Sequence, residues 1–416
     1  MAATARPSSP ARAPAAPDPA GAGRRRVIVG YALVAAATQM LWLTYAAITT
    51  DTARRYGVSE GAVGWLSEIF PLLYVVLAIP AGLLLDRWFR PALAAGAGLV
   101  AAGGLVRLGG ASFAWAMAGQ VVVAVAQPVV LSAAGKLAAE YLPAPERAAG
   151  IAIGSGGNFV GMLAALLLGP TLGGHGHLER LLAVEAGLAV AAAAVLAALL
   201  RRPGASRAGE ASPGGAVVGS LAAVRGLWAL PQMRILCGLV LLGFGVFVAL
   251  ATWLQALLHP DGVSDTAAGV LLVAMIVAGV AGCAALAPAV SRRGGERVYL
   301  EAAVAASALG CAALAVVPWL GARAAVLVVM GGFLLPALPV VLAAAEQLAG
   351  AAAGTAGALV WMAGNLGGLA VALIVQILVH HPAAAFLAMA GVSVLGAPLA
   401  ARVGRPAGRR RAAPGA

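Results

Sequence analysis

Apolar residues in this chain follow neither the strand period nor a single amphipathic stripe. They run in blocks of about twenty, broken by short clusters of Gly, Pro and charge. A block of that length crosses the ~30 Å hydrocarbon core of a bilayer as a helix. Twelve blocks are expected. The first six lie at about 28–50, 61–85, 91–111, 114–138, 147–172 and 178–200. The second six lie at about 233–258, 266–290, 297–318, 322–345, 353–379 and 383–403. In lipid the backbone must bond to itself, so continuous blocks mean helices, whereas barrel strands alternate over about ten residues. The predicted fold class is an all-α membrane protein of twelve transmembrane helices in two six-helix halves.

The longest polar interruption, Arg201 to Arg225, falls in the middle and carries Pro203, Gly204, Pro213 and Gly214-Gly215. It reads as a linker. The expected order is a disordered cytoplasmic tail over 1–26, a first bundle over 27–200, a cytoplasmic linker over 201–232, a second bundle over 233–403 and a basic cytoplasmic tail over 404–416. Two halves joined by a linker is the pattern of transporters built from repeats. A weak repeat agrees: Gly157-Asn158-Phe159-Val160-Gly161 and Gly364-Asn365-Leu366-Gly367-Gly368 occupy the same place in each half.

Composition removes the soluble alternative. Hydrophobic residues make up 62%, charged residues 10%, and mean hydropathy is +0.95. A soluble domain carries roughly 25% charge, so this chain lacks the means to cover a watery surface. The net charge of +12 does not point to nucleic acid, because the arginines flank apolar blocks instead of forming one basic face. With both tails and the even-numbered connections on one side, that side collects all but Arg54, Arg55, Arg107, Arg180 and Arg323 of the 27 basic residues. The positive-inside rule then puts both termini in the cytoplasm, in a multi-pass protein expected in the plasma membrane. The N-terminal stretch has no apolar core of its own, so no signal peptide is expected.

Cys237, Cys283 and Cys311 all lie inside apolar blocks, as small buried hydrophobes do. Neither a phosphate-binding loop nor a Ser/His/Asp set is recognisable. His175, His177, His380 and His381 lack a carboxylate framework. No cofactor, metal or enzymatic activity is expected. The expected partners are a small-molecule substrate and the lipid bilayer, with the monomer as the working unit.

Between the second and third blocks the chain reads Gly82-Leu83-Leu84-Leu85-Asp86-Arg87-Trp88-Phe89-Arg90. This resembles the loop signature of major facilitator transporters, with Phe89 where the signature usually has the Gly of a tight turn. The resemblance makes Gly82, Asp86, Arg87 and Arg90 a candidate cytoplasmic gate, in which Asp86 pairs with arginines or with the amino end of a neighbouring helix. Gly169-Pro170-Thr171-Leu172-Gly173-Gly174 resembles the Gly-Pro motif of proton-coupled drug antiporters, with Ala165 where that motif prefers Gly. It also reads as a simple helix kink.

A sharper likeness starts in the first block. Trp42-Leu43-Thr44-Tyr45 is followed by Tyr56-Gly57-Val58, Trp65-Leu66-Ser67, Leu84-Leu85-Asp86, Gly119-Gln120, Ala126-Gln127, Lys136 and Gly157-Asn158. This resembles the feline leukaemia virus subgroup C receptor-related transporters, a major facilitator branch linked to haem export and to choline and ethanolamine uptake. The likeness is good over about the first 170 residues and faint beyond. It implies that Trp42 stacks on a quaternary ammonium, with Tyr45 one turn on. It also places two substrate-contact positions, Gln in that branch, on Phe159 and Asn365. A cation over an aromatic face gains roughly 0.5–2 kcal/mol. Packing against lipid or protein is the other reading of Trp42.

Ionisable groups at membrane depth are costly and usually functional. Glu68, Glu185 and Glu301 are therefore candidates for proton or ion coupling. Glu68 near the outer interface also fits a side chain reaching up to water. Lys136 reads as an interface anchor. Gln39, Gln120, Gln127, Gln255 and Gln376 are candidate cavity liners or helix cross-bonds, with Gln39 and Gln127 ranked first and Asn158 beside them. Three readings stay open: a carrier of a small organic solute such as an amine or quaternary ammonium compound, a proton-coupled drug or metabolite exporter, and a non-transporting membrane sensor or membrane-embedded enzyme.

Overall fold

The computed structural model describes residues 19–173, 177–201 and 221–404. The first half holds α1 (Pro19–Leu43), the short α2 (Thr49–Tyr56), α3 (Glu60–Arg87), α4 (Phe89–Val106), α5 (Phe113–Tyr141), α6 (Ala144–Leu168) and α7 (Leu178–Leu200). A short α8 (Leu221–Ala229) leads into the second half. There follow α9 (Pro231–Leu258), α10 (Asp265–Arg293), α11 (Glu296–Val316), α12 (Leu320–Leu334), α13 (Ala337–Ala349), α14 (Ala353–Ile377), α15 (Pro382–Val394) and α16 (Ala397–Ala400). No strand occurs among the described residues.

Among the described residues, eleven segments are long and apolar enough to cross a membrane, and one of them runs 58 residues, from Leu320 to Ile377. About 20 residues make one crossing, so this segment holds two. Gly350, at φ +53, reverses the chain between α13 and α14. The count is thus consistent with twelve crossings. The tenth is split into α12 and α13 at Leu335-Pro336, where proline removes a donor and crowds the preceding turn.

Element bounds differ from the sequence pattern most at the first block and in the linker. Helix α1 reaches back to Pro19, into the stretch expected as tail, and stops at Leu43 instead of about 50. The chain cannot continue as a lipid-facing helix there, because Asp51, Arg54 and Arg55 follow; it turns and lays α2 across the helix ends. Leu221–Ala229, expected as linker, is helical. The remainder of the linker, 202–220, and the tail residues 1–18 and 405–416 lie outside the described residues, as do Gly174 and His175.

Two sequence repeats become structural ones. Gly57-Val58-Ser59 precedes α3, and Gly262-Val263-Ser264 precedes α10. Both glycines take positive φ, +66 and +75, and both serines cap, accepting from the N–H of Ala62 and of Ala267 at 3.2 Å. The Gly-Asn repeat sets helix contact distance. A Cβ on Gly161 would lie 2.0 Å from the Ala36 carbonyl oxygen, and one on Gly367 would lie 1.8 Å from that of Leu241. Only glycine lets α6 lie this close to α1, and α14 this close to α9.

A main apolar cluster runs through both halves. A smaller one, with Tyr45, Ile48, Leu66 and Leu181, fills the far end of the first half beneath α2. The helix ends at residues 87–90, 141–147, 231–234 and 293–297 share the side that holds most of the arginines. It is called the basic end below.

Candidate functional site

Asp86 lies one residue before the carboxyl end of α3, and its side chain is fully buried. It reaches across to the other half. Oδ1 accepts the Gly354 backbone N–H at 2.8 Å, and Oδ2 accepts the Thr355 N–H at 2.9 Å as well as the Thr355 hydroxyl. These donors are the unpaired first-turn N–H groups of α14, where a carboxylate also meets the favourable end of the helix dipole. Lys136 Nζ stands 3.4 Å from Asp86 Oδ1 and donates to the Ala351 carbonyl at 2.7 Å. Arg147 Nη1 donates to Glu346 Oε1 at 3.2 Å, again from one half to the other.

Close approach makes this possible. A Cβ on Gly82 would lie 2.8 Å from Thr355 Cα, and one on Gly357 would lie 2.6 Å from the Ser132 carbonyl oxygen. The other signature residues act within their own half. Arg87 stacks on the Trp88 ring at 4.6 Å, and Arg90 donates to Glu140 at 3.0 Å. Phe89 is no obstacle to the turn, because Trp88 makes it at φ −134, where glycine has no advantage.

Above this junction the halves meet through aromatic rings. Tyr74 of α3 lies 6.3 Å from Trp361 of α14, centroid to centroid. Phe244 of α9 stands edge-on to Trp361 at 5.6 Å and lies 5.6 Å from Phe247. Phe247 in turn meets Phe159 of α6 at 6.0 Å, edge to face. The seam thus runs from the first half, through the second, and back to the first. It includes two unpaired polar atoms, or stands next to them. Trp361 Nε1 is buried without a partner, and so is Oδ1 of Asn158, the neighbour of Phe159. Asn365 donates to the Trp361 carbonyl at 2.9 Å, one turn along α14.

The structure separates residues that the sequence grouped. Trp42 lies near the far end of α1, packs on Phe70 at 6.4 Å, and donates Nε1 to the Ser67 carbonyl at 3.0 Å. Tyr45 lies past the end of α1 in the smaller apolar cluster, turned toward Arg107. Helix α1 ends between the two, at Leu43. Gln127 donates to Gln39 at 2.9 Å, so the pair bonds α5 to α1. Gln120 braces α5 through the carbonyls of Leu41 and Leu66. Gly169, Pro170 and Gly173 form a π turn at the end of α6, with Gly173 against Leu181 and Ile48.

The three acidic candidates have different surroundings. Glu185 of α7 is fully buried within the first half; it accepts the Thr44 hydroxyl at 2.6 Å and Arg107 Nη2 at 3.1 Å. Glu301 pairs with Arg297 on the exposed face of α11. Glu68 is exposed. It lies five turns before Asp86, roughly 27 Å along α3, on the same helix face.

The chain matches the family model described as Major Facilitator Superfamily over residues 27–372. The chain belongs to the major facilitator superfamily. It is 34% identical over 301 residues to solute carrier family 49 member A3 of Danio rerio, a match covering 66% of this chain and 62% of that protein. It is 32% identical over 162 residues to the choline/ethanolamine transporter FLVCR1 of Felis catus, covering 38% of this chain and 29% of that one. The human choline/ethanolamine transporter FLVCR2 is 28% identical over 155 residues, 36% and 30% of the two chains. The resemblance to that branch holds, over part of each relative's length. Two solved structures share the fold. Human MFSD10, an organic anion transporter, aligns at TM-score 0.72 and 18% identity over 92% of this chain and all of that one. The Escherichia coli fucose:proton symporter FucP aligns at 0.73 and 15%, over 91% and 97% of the two chains.

Lys136, Arg147, Glu346 and Thr355 were missed as members of the cross-half junction. Lys136 alone carried a signal, as the only lysine in the chain, set one helix from Asp86. The seam residues Tyr74, Phe244, Phe247 and Trp361 look like ordinary core aromatics in the sequence.

Proposed function

We propose that this protein is a multi-pass carrier that moves a small organic cation, an amine or quaternary ammonium compound, across the plasma membrane by alternating access. Asp86 on the amino end of α14 carries the reading, because a bond set between two halves can close one end and release when they rock apart. The basic end is then cytoplasmic and shut in this arrangement, and the monomer is the working unit. Both tails, 1–26 and 404–416, and the linker 201–232 would lie on that side.

The seam of Tyr74, Trp361, Phe244, Phe247 and Phe159 supports the substrate class, since π faces hold cations without a hydrogen bond. The relatives named choline/ethanolamine transporters point the same way. Glu68, an exposed acid of α3 five turns before Asp86, would draw a cation into the open end. Uptake of labelled choline into proteoliposomes tests this. Trp361→Ala is expected to lower apparent affinity by about 3- to 30-fold, the equivalent of roughly 0.5–2 kcal/mol. Absence of uptake of any cation, or an unaltered Trp361→Ala protein, removes the reading.

The second reading, proton-coupled export, is favoured by the π turn over Gly169–Gly173 in the Gly-Pro motif. Proton release on drug addition would distinguish it.

A further inference from the structure

Next to the aromatic seam, and sharing Phe244 and Phe247 with it, lies a narrow, partly open cleft between α9, α11, the broken α12–α13 crossing and α15, lined mostly by apolar side chains. Phe244 and Phe247 belong to both: they take part in the seam, and they line the cleft with Ala303, Leu334, Ser307 and Ser393. The two serines have no hydroxyl proton left to donate to a guest. Their hydroxyls bond each other at 2.8 Å, and Ser393 also donates to the Met389 carbonyl at 3.0 Å. A choline-sized cation needs only the seam. The space beyond it is lined mostly by apolar side chains and shares a wall with the seam.

We infer that the cleft holds an apolar substituent of the substrate, so the preferred substrates are amphiphilic cations: an ammonium head at the seam and a short alkyl or aryl tail among α9, α11 and α15. The inference rests on the cation reading above. Removing a tail methylene fully from water favours binding by about fourfold. Filling the cleft must cancel that gain without touching the head.

The test is uptake into proteoliposomes of labelled choline and of alkyltrimethylammonium ions from propyl to hexyl. The proteins are the wild type, Ala303→Leu and Ser307→Leu, each checked for an unchanged melting temperature. In the wild type, apparent affinity should rise by up to about fourfold per methylene. In at least one filled variant the rise should vanish while choline uptake stays at the wild-type level. Affinity that is flat or falls with chain length, with choline still carried, overturns the inference and leaves the cation reading standing. So does a rise that survives both variants. If no cation of any length is carried, both readings fail.

Discussion

Asp86 Oδ2 accepts the backbone N–H of Thr355 at 2.9 Å across 269 residues of sequence. The bond joins the carboxyl end of α3 to the amino end of α14. A buried carboxylate without these donors would be costly, and the first N–H groups of α14 without a carboxylate would be unpaired. Each side therefore stabilises the other only while the halves touch.

Replacing Asp86 should loosen that end. Asp86→Ala leaves two or three donors buried and unpaired, at about 1–3 kcal/mol each. Asp86→Asn keeps an acceptor and loses the charge, so its effect should be smaller. Cysteine accessibility at Thr355 reads the outcome: labelling should increase in the order wild type, Asn, Ala. Equal labelling in all three would contradict the contact.

Glycines at helix crossings should separate from glycines that merely occur in helices. Gly161→Ala and Gly367→Ala drive a methyl into a backbone carbonyl, so each should cost about 1–3 kcal/mol and lower the melting temperature in detergent. Gly98→Ala and Gly187→Ala meet nothing within 4 Å and should leave it unchanged or raised. Similar shifts in both sets would refute the packing account.

The Arg107–Glu185 pair has both side chains fully buried, so its members depend on each other. Glu185→Ala strands a buried guanidinium and should destabilise by roughly 3–5 kcal/mol. The double change Arg107→Leu with Glu185→Leu should recover most of that loss. Thermal unfolding in detergent of the wild type, Arg107→Leu, Glu185→Leu and the double variant measures the coupling, and additive single effects would mean that the pair is not coupled.

Much of the fold was legible because lipid imposes a simple rule: long apolar blocks, arginines gathered at one end. Asp86 was legible because a signature surrounds it. The partners were not. Gly354 and Thr355 bond Asp86 mainly through backbone N–H groups, which leave no trace in residue type. Arg107 caps the end of α4 and Glu185 lies on α7, with 77 residues between them, and neither sequence neighbourhood names the other. The break at Leu335-Pro336 was hidden by apolar residues on both sides. The direction of Tyr45 was unreadable because it lies just past a helix end, where periodicity stops.

Reciprocal motion of the two ends is the central claim, and spin-label distances in liposomes test it most directly. One label pair goes on the exposed Arg87 and Leu348 at the basic end, the other on the exposed Gly64 and His259 at the opposite end; the three native cysteines are buried. Going from wild type to Asp86→Ala, the first distance should lengthen while the second shortens. Unchanged distances, or two distances that move in the same direction, would contradict the account.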